Sequence, residues 1–206
     1  MIRLYSLIAA GLVAAMLGGL GYMVFSGRDG DQFAQCRATQ VTGGAGAIGG
    51  PFTLTDHTGR AVTEADFADR PVIMYFGYTF CPDVCPLDAA RNAQAVDLLE
   101  AKGKVVTPLF ITFDPARDTQ EVLAEFVRFM HPRMVGLTGT EDQIRDATRA
   151  YRVYFAKQDS TGELYLIDHS TFSYLLLPGH GFVDIIRRDQ TPEQVADMVG
   201  CFIDRA

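Results

Sequence analysis

Two cysteines spaced four positions apart are the residues of this sequence with the clearest chemical potential. Cys81 and Cys85 lie in the stretch YFGYTFCPDVCP, residues 75–86, and a proline follows each of them. Such a pair can form a structural disulfide, act as a redox couple or hold a soft metal ion. The structural disulfide is the weakest interpretation, because a bridge over so short a stretch closes almost no loop and stabilises little.

The residues around the pair predict how the two sulfurs approach each other. Pro82-Asp83 favours a type I turn, which would fold Cys81 back towards Cys85. Cys85 would then stand at the start of a helix, where unpaired backbone N–H groups and the helix dipole favour a thiolate. These local features suit disulfide exchange and metal binding equally well.

A third ligand would complete a metal site, and the four histidines are the candidates. His57 falls in a predicted hairpin turn, His180 lies between two glycines, and His131 ends a predicted helix. These three are expected at the surface, where His131 can meet the last carbonyls of its helix. His169 follows the apolar strand LYLID, and strand-end loops of α/β sheets are where ligand sites gather. The position of His169 in the sequence favours neither interpretation, a surface residue or a metal ligand, over the other.

An alternation of strands and helices from residue 51 onward predicts the elements that position these groups. Residues 51–63 predict a hairpin. Apolar runs after it predict strands at 71–78, 105–114, 134–137, 152–157, 164–168, 171–177 and 182–188. One helix is expected from Pro86 to about Lys102, and capping signals predict others after Asp118, Thr140 and Thr191. This order indicates an α/β fold with a mixed sheet flanked by helices. A two-cysteine motif at a strand-to-helix junction is typical of the thioredoxin-like version.

An uncharged apolar run near the N terminus predicts a transmembrane helix. Residues 4–25 contain no charge, and as a helix they would span a hydrocarbon core of roughly 30 Å. A cleaved signal peptide is the alternative, but its apolar region is normally only about 7–15 residues long. Arg3 before the run, with Arg28, Asp29 and Asp31 after it, predicts a cytoplasmic tip at 1–3 and a body outside the cytoplasm. The simplest host is a bacterial cytoplasmic membrane crossed once, with the body in the periplasm.

The remaining composition limits the partners and the redox state of the chain. Residues 26–50 include GGAGAIGG and predict a flexible linker before a domain at 51–206. A formal net charge of −7 argues against nucleic acid as a partner.

Cys36 and Cys201 stand at the two ends of the part of the chain outside the membrane, in a compartment expected to be oxidising. Because chain ends often lie close together, we expect a disulfide between them, with two separate buried thiols as the alternative.

Three motifs of this chain occur together in one known family. They are FCPDVCP at 80–86, DPARDT at 114–119 and DHSTFSYLLLP at 168–178. In this combination the chain resembles the Sco/SenC family of membrane-anchored copper proteins over most of residues 51 to 204. The resemblance implies a thioredoxin-like fold in which Cys81, Cys85 and His169 hold one copper ion. It also implies help in maturing the binuclear copper centre of cytochrome c oxidase subunit II, with that subunit and a periplasmic copper donor as partners.

The donor chemistry agrees with this resemblance. Two thiolates and one imidazole favour soft Cu(I), whereas zinc would want a fourth ligand for a closed site. Asp168 and Asp83 are candidates for groups that orient or charge the site, with a turn residue and a solvated residue as the plain alternatives. Asp114 and Asp118 are expected to form a turn and a helix cap.

Two functions therefore compete at the sequence level. The leading hypothesis is a metallochaperone, which binds and delivers copper without turnover and needs all three ligands. The alternative is a thiol–disulfide reductase acting on the copper-ligand cysteines of the same target, which needs Cys81 and Cys85 but not His169. A peroxidase is disfavoured, because Thr79 precedes Cys81 by two positions where that chemistry uses a spacing of three.

Overall fold

The computed structural model describes residues 2–26, 31–37, 48–158 and 165–206, which divide into a unit ending at Gln35 and a unit beginning at Cys36. In the first unit, α1 spans Ile2–Ser26 and includes the run predicted as an anchor. Within the described residues, no helix combines the length and the apolar character needed to cross a membrane. The anchor and its topology stay predictions. Most of the predicted linker, at 27–30 and 38–47, and Met1 of the predicted tip lie outside the described residues.

Strands and helices alternate through the described part of the second unit. The strands are β1 Thr53–Asp56, β2 Ala61–Thr63, β3 Val72–Gly77, β4 Thr107–Thr112, β5 Val135–Thr138, β6 Phe155–Lys157, β7 Ile167–His169, β8 Ser173–Leu177 and β9 Gly181–Ile186. The helices are α2 Val84–Ala101, α3 Gln120–Met130, α4 Glu141–Ala150 and α5 Pro192–Ile203, with a short 3-10 helix at Glu64–Phe67.

Seven of these strands form one mixed sheet in the order β2-β1-β5-β4-β3-β8-β9. Its centre is parallel, because β4 pairs in parallel with both β3 and β5. The flanking strands β1 and β8 pair antiparallel with this centre, and β2 and β9 close the two edges as hairpin partners. A mixed α/β sheet with an added hairpin, as predicted, is therefore confirmed. The pairing of β6 with β7 in a separate two-stranded sheet was not predicted.

The central strand β3 explains why its sequence reads as a continuous apolar run. All six of its residues are buried. The hydroxyl group of Tyr75 contacts Asp88 in α2, whereas the next ring, Phe76, packs against Tyr151 after α4 with centroids 5.7 Å apart. Because successive side chains point to opposite faces of a sheet, helices must cover both faces of β3.

The helix starts differ from the predictions at two places that matter for the site. α2 begins at Val84, two residues before the predicted start, so Cys85 lies within its first turn. The N-cap of α3 is Thr119, whose side chain accepts a hydrogen bond from the backbone of Val122 at 3.4 Å. The predicted cap at Asp118 is therefore wrong, because that side chain turns inward instead.

The four cysteines divide into a bridge and two thiols. Cys36 and Cys201 form a disulfide with their Cα atoms 5.7 Å apart, across a sequence separation of 165 residues. The bridge ties the chain before the sheet to the closing helix α5. Cys81 and Cys85 are not bridged, and both are buried.

Candidate metal centre

Three elements meet near the carboxyl end of β3 and bring together Cys81, Cys85 and His169. Cys81 lies in the turn after β3, Cys85 in the first turn of α2, and His169 at the end of β7. One possible ligand atom of each residue lies within 4.8 Å of the others. The structure thus assembles the three side chains that the sequence singled out, from three separate elements.

A turn at residues 78–81 and the first turn of α2 bring the two sulfurs to the same place. The backbone N–H of Cys81 donates to the carbonyl of Tyr78 at 3.3 Å. The backbone N–H of Cys85 points at the sulfur of Cys81, with the nitrogen 3.5 Å away. Cys81 keeps 8% of its surface exposed, whereas Cys85 has none. A reagent or a partner protein therefore reaches Cys81 first.

The electrostatic environments of the two sulfurs are unequal. Hydrogen bonds from the thiol of Cys85 and from the backbone N–H groups of Asp83 and Cys85 lower the pKa of Cys81. The same hydrogen bond to Cys81, together with burial, raises the pKa of Cys85. The two sulfurs therefore differ in the direction of their pKa shifts, which is downward at Cys81 and upward at Cys85.

The backbone next to His169 sets the orientation of its ring. Nδ1 lies 2.8 Å from the carbonyl oxygen of Ser170. Because a carbonyl only accepts hydrogen bonds, Nδ1 carries the ring proton and Nε2 keeps a lone pair. Nε2 is the nitrogen that faces Cys85, 3.3 Å from its sulfur. The imidazole is thus preorganised as a metal donor through Nε2.

Aromatic packing and one hydrogen bond hold the strand that carries His169. Its ring lies against Phe113, with centroids 4.8 Å apart, and meets Tyr78 edge-on at 6.0 Å. The hydroxyl group of Tyr78 accepts the backbone N–H of Ile167 at 3.2 Å. In the small sheet, Phe155 of β6 is the register partner of His169. The position of the imidazole therefore depends on a hairpin that the sequence pattern did not reveal as separate from the main sheet.

The two acidic residues predicted to orient or charge the site are both exposed. The carboxylate of Asp168 accepts a hydrogen bond from the side chain of Gln158 at 2.8 Å. Asp83 reaches the sulfur of Cys81 through its backbone N–H. The ring of His169 is oriented by the carbonyl of Ser170, so an effect of either carboxylate on a bound metal stays a prediction.

Comparison with known proteins assigns this arrangement to a family. Residues 40–204 match the SCO1/SenC family. The chain belongs to this family. It is 50% identical over 200 residues to Protein SenC of Rhodobacter capsulatus, covering 97% of this chain and 90% of that protein. It is 40% identical over 196 residues to the human Protein SCO2 homolog, mitochondrial, covering 94% and 73% respectively.

Solved structures of SCO1/SenC proteins share the fold. ScoI of Arabidopsis thaliana, solved with copper bound, aligns with a TM-score of 0.73 at 39% identity, over 77% of this chain and 99% of that one. Yeast Sco1, also solved with copper bound, gives a TM-score of 0.73 at 39% identity, over 78% and 90%. These likenesses confirm the predicted thioredoxin-like α/β fold.

Asp118 is a residue near the SCO1/SenC cysteine motif whose role sequence reasoning missed. Its carboxylate is fully buried and accepts three hydrogen bonds. The donors are the backbone N–H of Thr79 at 3.0 Å, the hydroxyl of Thr79 at 2.5 Å and the hydroxyl of Thr112 at 2.5 Å. Burial raises the pKa of Asp118. An aspartate just before a helix is normally a cap, so the sequence carried no signal of this inward orientation.

A buried ion pair behind Cys85 was also missed. Asp88 and Arg91 pair at 3.0 Å within α2, and the hydroxyl of Tyr75 donates to Asp88 at 3.3 Å. Arg91 also donates to the hydroxyl of Ser173 in β8 at 3.2 Å. The pair therefore fastens the first turns of α2, which carry Cys85, to the main sheet. A spacing of three positions between opposite charges was the available signal, but it does not distinguish a buried pair from a surface pair.

In a second cluster in the described part of the chain, the histidine nitrogen that faces the other groups carries the ring proton and is therefore less suited to bind a metal ion. Asp97, Glu100 and His131 also bring possible ligand atoms within 4.8 Å. Here Nδ1 of His131 accepts the backbone N–H of Arg133 at 3.0 Å, so the ring proton sits on Nε2, which donates to Asp97 at 3.2 Å. His131 is also buried, contrary to the surface position predicted from the sequence. A metal ion would have to displace the proton that this ring uses to hold Asp97.

Proposed function

We propose that this protein binds one copper ion through Cys81, Cys85 and His169 and delivers it to the binuclear copper centre of cytochrome c oxidase subunit II. The observation that carries the proposal is the convergence of two sulfurs and one imidazole nitrogen within 4.8 Å. Family membership supports it, because the relatives from Arabidopsis thaliana and yeast were solved with copper bound.

The donor set fits copper as a transferable cargo. Thiolate and imidazole donors select Cu(I), and a site with three protein ligands leaves a position at which a partner's ligand can attack. Structural zinc sites are instead closed by four ligands. Slight exposure of Cys81 and full burial of Cys85 suggest that the partner approaches from the side of Cys81.

Each side chain has a definite task in this proposal. Cys81 offers a thiolate without further deprotonation, since its pKa is lowered. Cys85 has a raised pKa and must release its proton as the metal binds. His169 offers the lone pair of Nε2, because its Nδ1 donates to Ser170. Copper binding should therefore release about one proton per ion, and it should strengthen as the pH rises.

A copper titration tests the proposal. The reduced full-length chain is titrated anaerobically with Cu(I) in the presence of a chromogenic chelator, next to Cys85→Ser. We expect one equivalent to bind to the wild-type chain and Cys85→Ser to bind far more weakly. The loaded protein is then mixed with the copper-free soluble domain of oxidase subunit II. Equal binding by the two chains, or retention of all copper in that mixture, would contradict the proposal.

The unequal sulfurs favour a second candidate function, a thiol–disulfide reductase acting on the copper-ligand cysteines of the same target. A lowered pKa at Cys81 suits an attacking thiolate, and Cys85, whose pKa is raised, would resolve the mixed disulfide after losing its proton. This activity would leave His169 without an essential role. Exchange with an oxidised two-cysteine peptide, measured for the wild type and His169→Ala, tests it. Absence of exchange in either direction excludes this candidate.

We also propose that residues 4–25 anchor the protein in a bacterial cytoplasmic membrane with the domain in the periplasm. The uncharged run and the charges that flank it support this topology. The disulfide between Cys36 and Cys201 agrees with it, because such bonds persist in oxidising compartments. Carbonate extraction of membranes and protease protection of intact spheroplasts test it. Release by carbonate, or protection of the domain from external protease, would contradict it.

A further inference from the structure

The buried carboxylate of Asp118 accepts hydrogen bonds from the loop that carries Cys81. We propose that Asp118 is the positioning residue of the proposed copper centre: its carboxylate fixes the loop Tyr78–Cys81 against the end of β4, so that the sulfur of Cys81 and the imidazole of His169 keep their relative places. This inference rests on the proposed function, and its test separates the two.

The hydrogen bonds of Asp118 show what it fastens. One carboxylate oxygen accepts both the backbone N–H of Thr79 and the hydroxyl of Thr112, the last residue of β4. The other oxygen accepts the hydroxyl of Thr79. In addition, the backbone carbonyl of Asp118 accepts the hydroxyl of Thr138 in β5 at 3.4 Å. One residue thus ties the loop to two neighbouring strands of the parallel centre.

The loop held in this way leads to both halves of the centre. Thr79 stands two positions before Cys81, and its neighbour Tyr78 accepts the backbone N–H of Cys81 at 3.3 Å. The hydroxyl of Tyr78 accepts the backbone N–H of Ile167, two positions before His169. A displacement of Tyr78–Thr79 would therefore move the sulfur of Cys81 and the strand of His169 together.

Hydrogen bonds, not an ion pair, satisfy this carboxylate. The adjacent cation, Arg117, pairs with Asp114. A buried carboxyl group without hydrogen bonds is strongly destabilising, so the three donors and the acid stabilise one another. The loop is consequently held rigidly as long as the acceptor oxygens are present.

This geometry predicts different outcomes for two substitutions. Asp118→Ala removes both side-chain acceptor oxygens and leaves the N–H of Thr79 without its partner. Asp118→Asn can retain all three hydrogen bonds, because its oxygen can accept from the N–H of Thr79 and from Thr112. Its amide can then donate to the hydroxyl of Thr79, which turns to accept. The asparagine variant is therefore the conservative rescue.

Asp56 provides a matched control in the same chain. It is also a buried aspartate, and it accepts the backbone N–H of Thr58 at 2.9 Å, the hydroxyl of Thr58 at 2.6 Å and the backbone N–H of Arg60 at 3.0 Å. These bonds close the turn of the β1–β2 hairpin and reach none of the three proposed ligands. Asp56→Ala should therefore lower thermal stability without changing the metal centre.

The experiment compares the full-length wild type, Asp118→Ala, Asp118→Asn and Asp56→Ala. Copper affinity and the sulfur-to-copper charge-transfer absorbance are measured with the thermal midpoint of each. We expect Asp118→Ala to lose about tenfold or more in affinity and to shift the band, as substitutions behind metal ligands do. Asp118→Asn and Asp56→Ala should keep the wild-type affinity and band. If Asp118→Ala has the same copper affinity and the same absorbance band as Asp56→Ala, the inference is wrong.

Two further measurements keep the test decisive. If Asp118→Ala does not fold, Thr79→Val takes its place, since it removes one of the three hydrogen bonds; a wild-type affinity and band in that variant would refute the inference.

If the wild type binds no copper, the proposed function fails, but the equilibrium of the Cys81–Cys85 pair with glutathione still reports on the loop. Asp118→Ala should then shift this equilibrium towards the disulfide by about threefold or more. No shift relative to Asp56→Ala would overturn the inference independently of copper.

Discussion

Nε2 of His169 lies 3.3 Å from Sγ of Cys85, although 84 positions separate the two residues. The contact exists because β6 and β7 form a small sheet of their own, and because Tyr78 accepts the backbone N–H of Ile167. The ring proton on Nδ1 leaves the other nitrogen free to coordinate. The two cysteines thereby gain a third possible donor atom.

His169→Ala should lower the copper affinity by about a hundredfold or more, because one of the three proposed donors is lost and only the two cysteine sulfurs remain. Competition with a Cu(I) chelator measures the change. His180→Ala is the control, since that histidine is exposed in the turn before β9. Stoichiometric binding by His169→Ala at undiminished affinity would show that the imidazole is not a ligand.

Alkylation should distinguish the two thiols of the reduced chain. The lowered pKa of Cys81 keeps its thiolate populated above that pKa, so its reaction with iodoacetamide should be nearly independent of pH from about 6 to 8. In the urea-unfolded chain the rate should instead rise with pH towards the ordinary thiol pKa of about 8.5. Cys85 is buried with a raised pKa and should react slowly throughout. Peptide mapping after timed quenching measures both, and a Cys81 rate that climbs about tenfold per pH unit would contradict the assignment.

Replacing Cys36 and Cys201 together by serine should lower the free energy of unfolding by roughly 5 kcal/mol in the chain-entropy treatment. The size follows from the sequence separation of 165 residues that the bridge spans. Urea unfolding measures it, and dithiothreitol should reproduce the loss in the wild type while leaving the double variant unchanged. Copper stoichiometry should stay at one, because neither residue is among the three proposed ligands. An unchanged unfolding midpoint would show that the bridge does not constrain the unfolded chain.

Gly77→Ala should disturb the metal centre through direct crowding. A Cβ at this position would lie 2.9 Å from Cε1 of Tyr75, 3.0 Å from Cε2 of Phe110 and 3.1 Å from Sγ of Cys85. We expect a loss of about 1–3 kcal/mol in stability and a measurable fall in copper affinity. Gly136→Ala is the matched control, since its Cβ would lie 3.0 Å from Cγ1 of Val127, on α3. If both variants bind copper equally well, the close approach at Gly77 does not position Cys85.

The sequence by itself determined the features that depend on near neighbours along the chain. The apolar run of β3 indicated a strand buried on both faces, and the turn residues between Thr53 and Thr63 indicated a hairpin. The capping boxes that begin with Thr140 and Thr191 located two helix starts. Local periodicity and local hydrogen bonding produce these signals, so they can be read without knowledge of the fold. Family resemblance, rather than periodicity, made His169 the preferred third ligand.

Only the tertiary structure decided which distant groups meet. It placed the imidazole of His169 on a hairpin outside the main sheet, turned Asp118 inward to hold Thr79, and buried His131 with its proton on the other nitrogen. Nothing local distinguishes these side chains from an ordinary strand end, a helix cap or a surface histidine. Their roles depend on which donor or acceptor the packed chain brings within about 3 Å, and that distance is set by the packing of elements far apart in sequence.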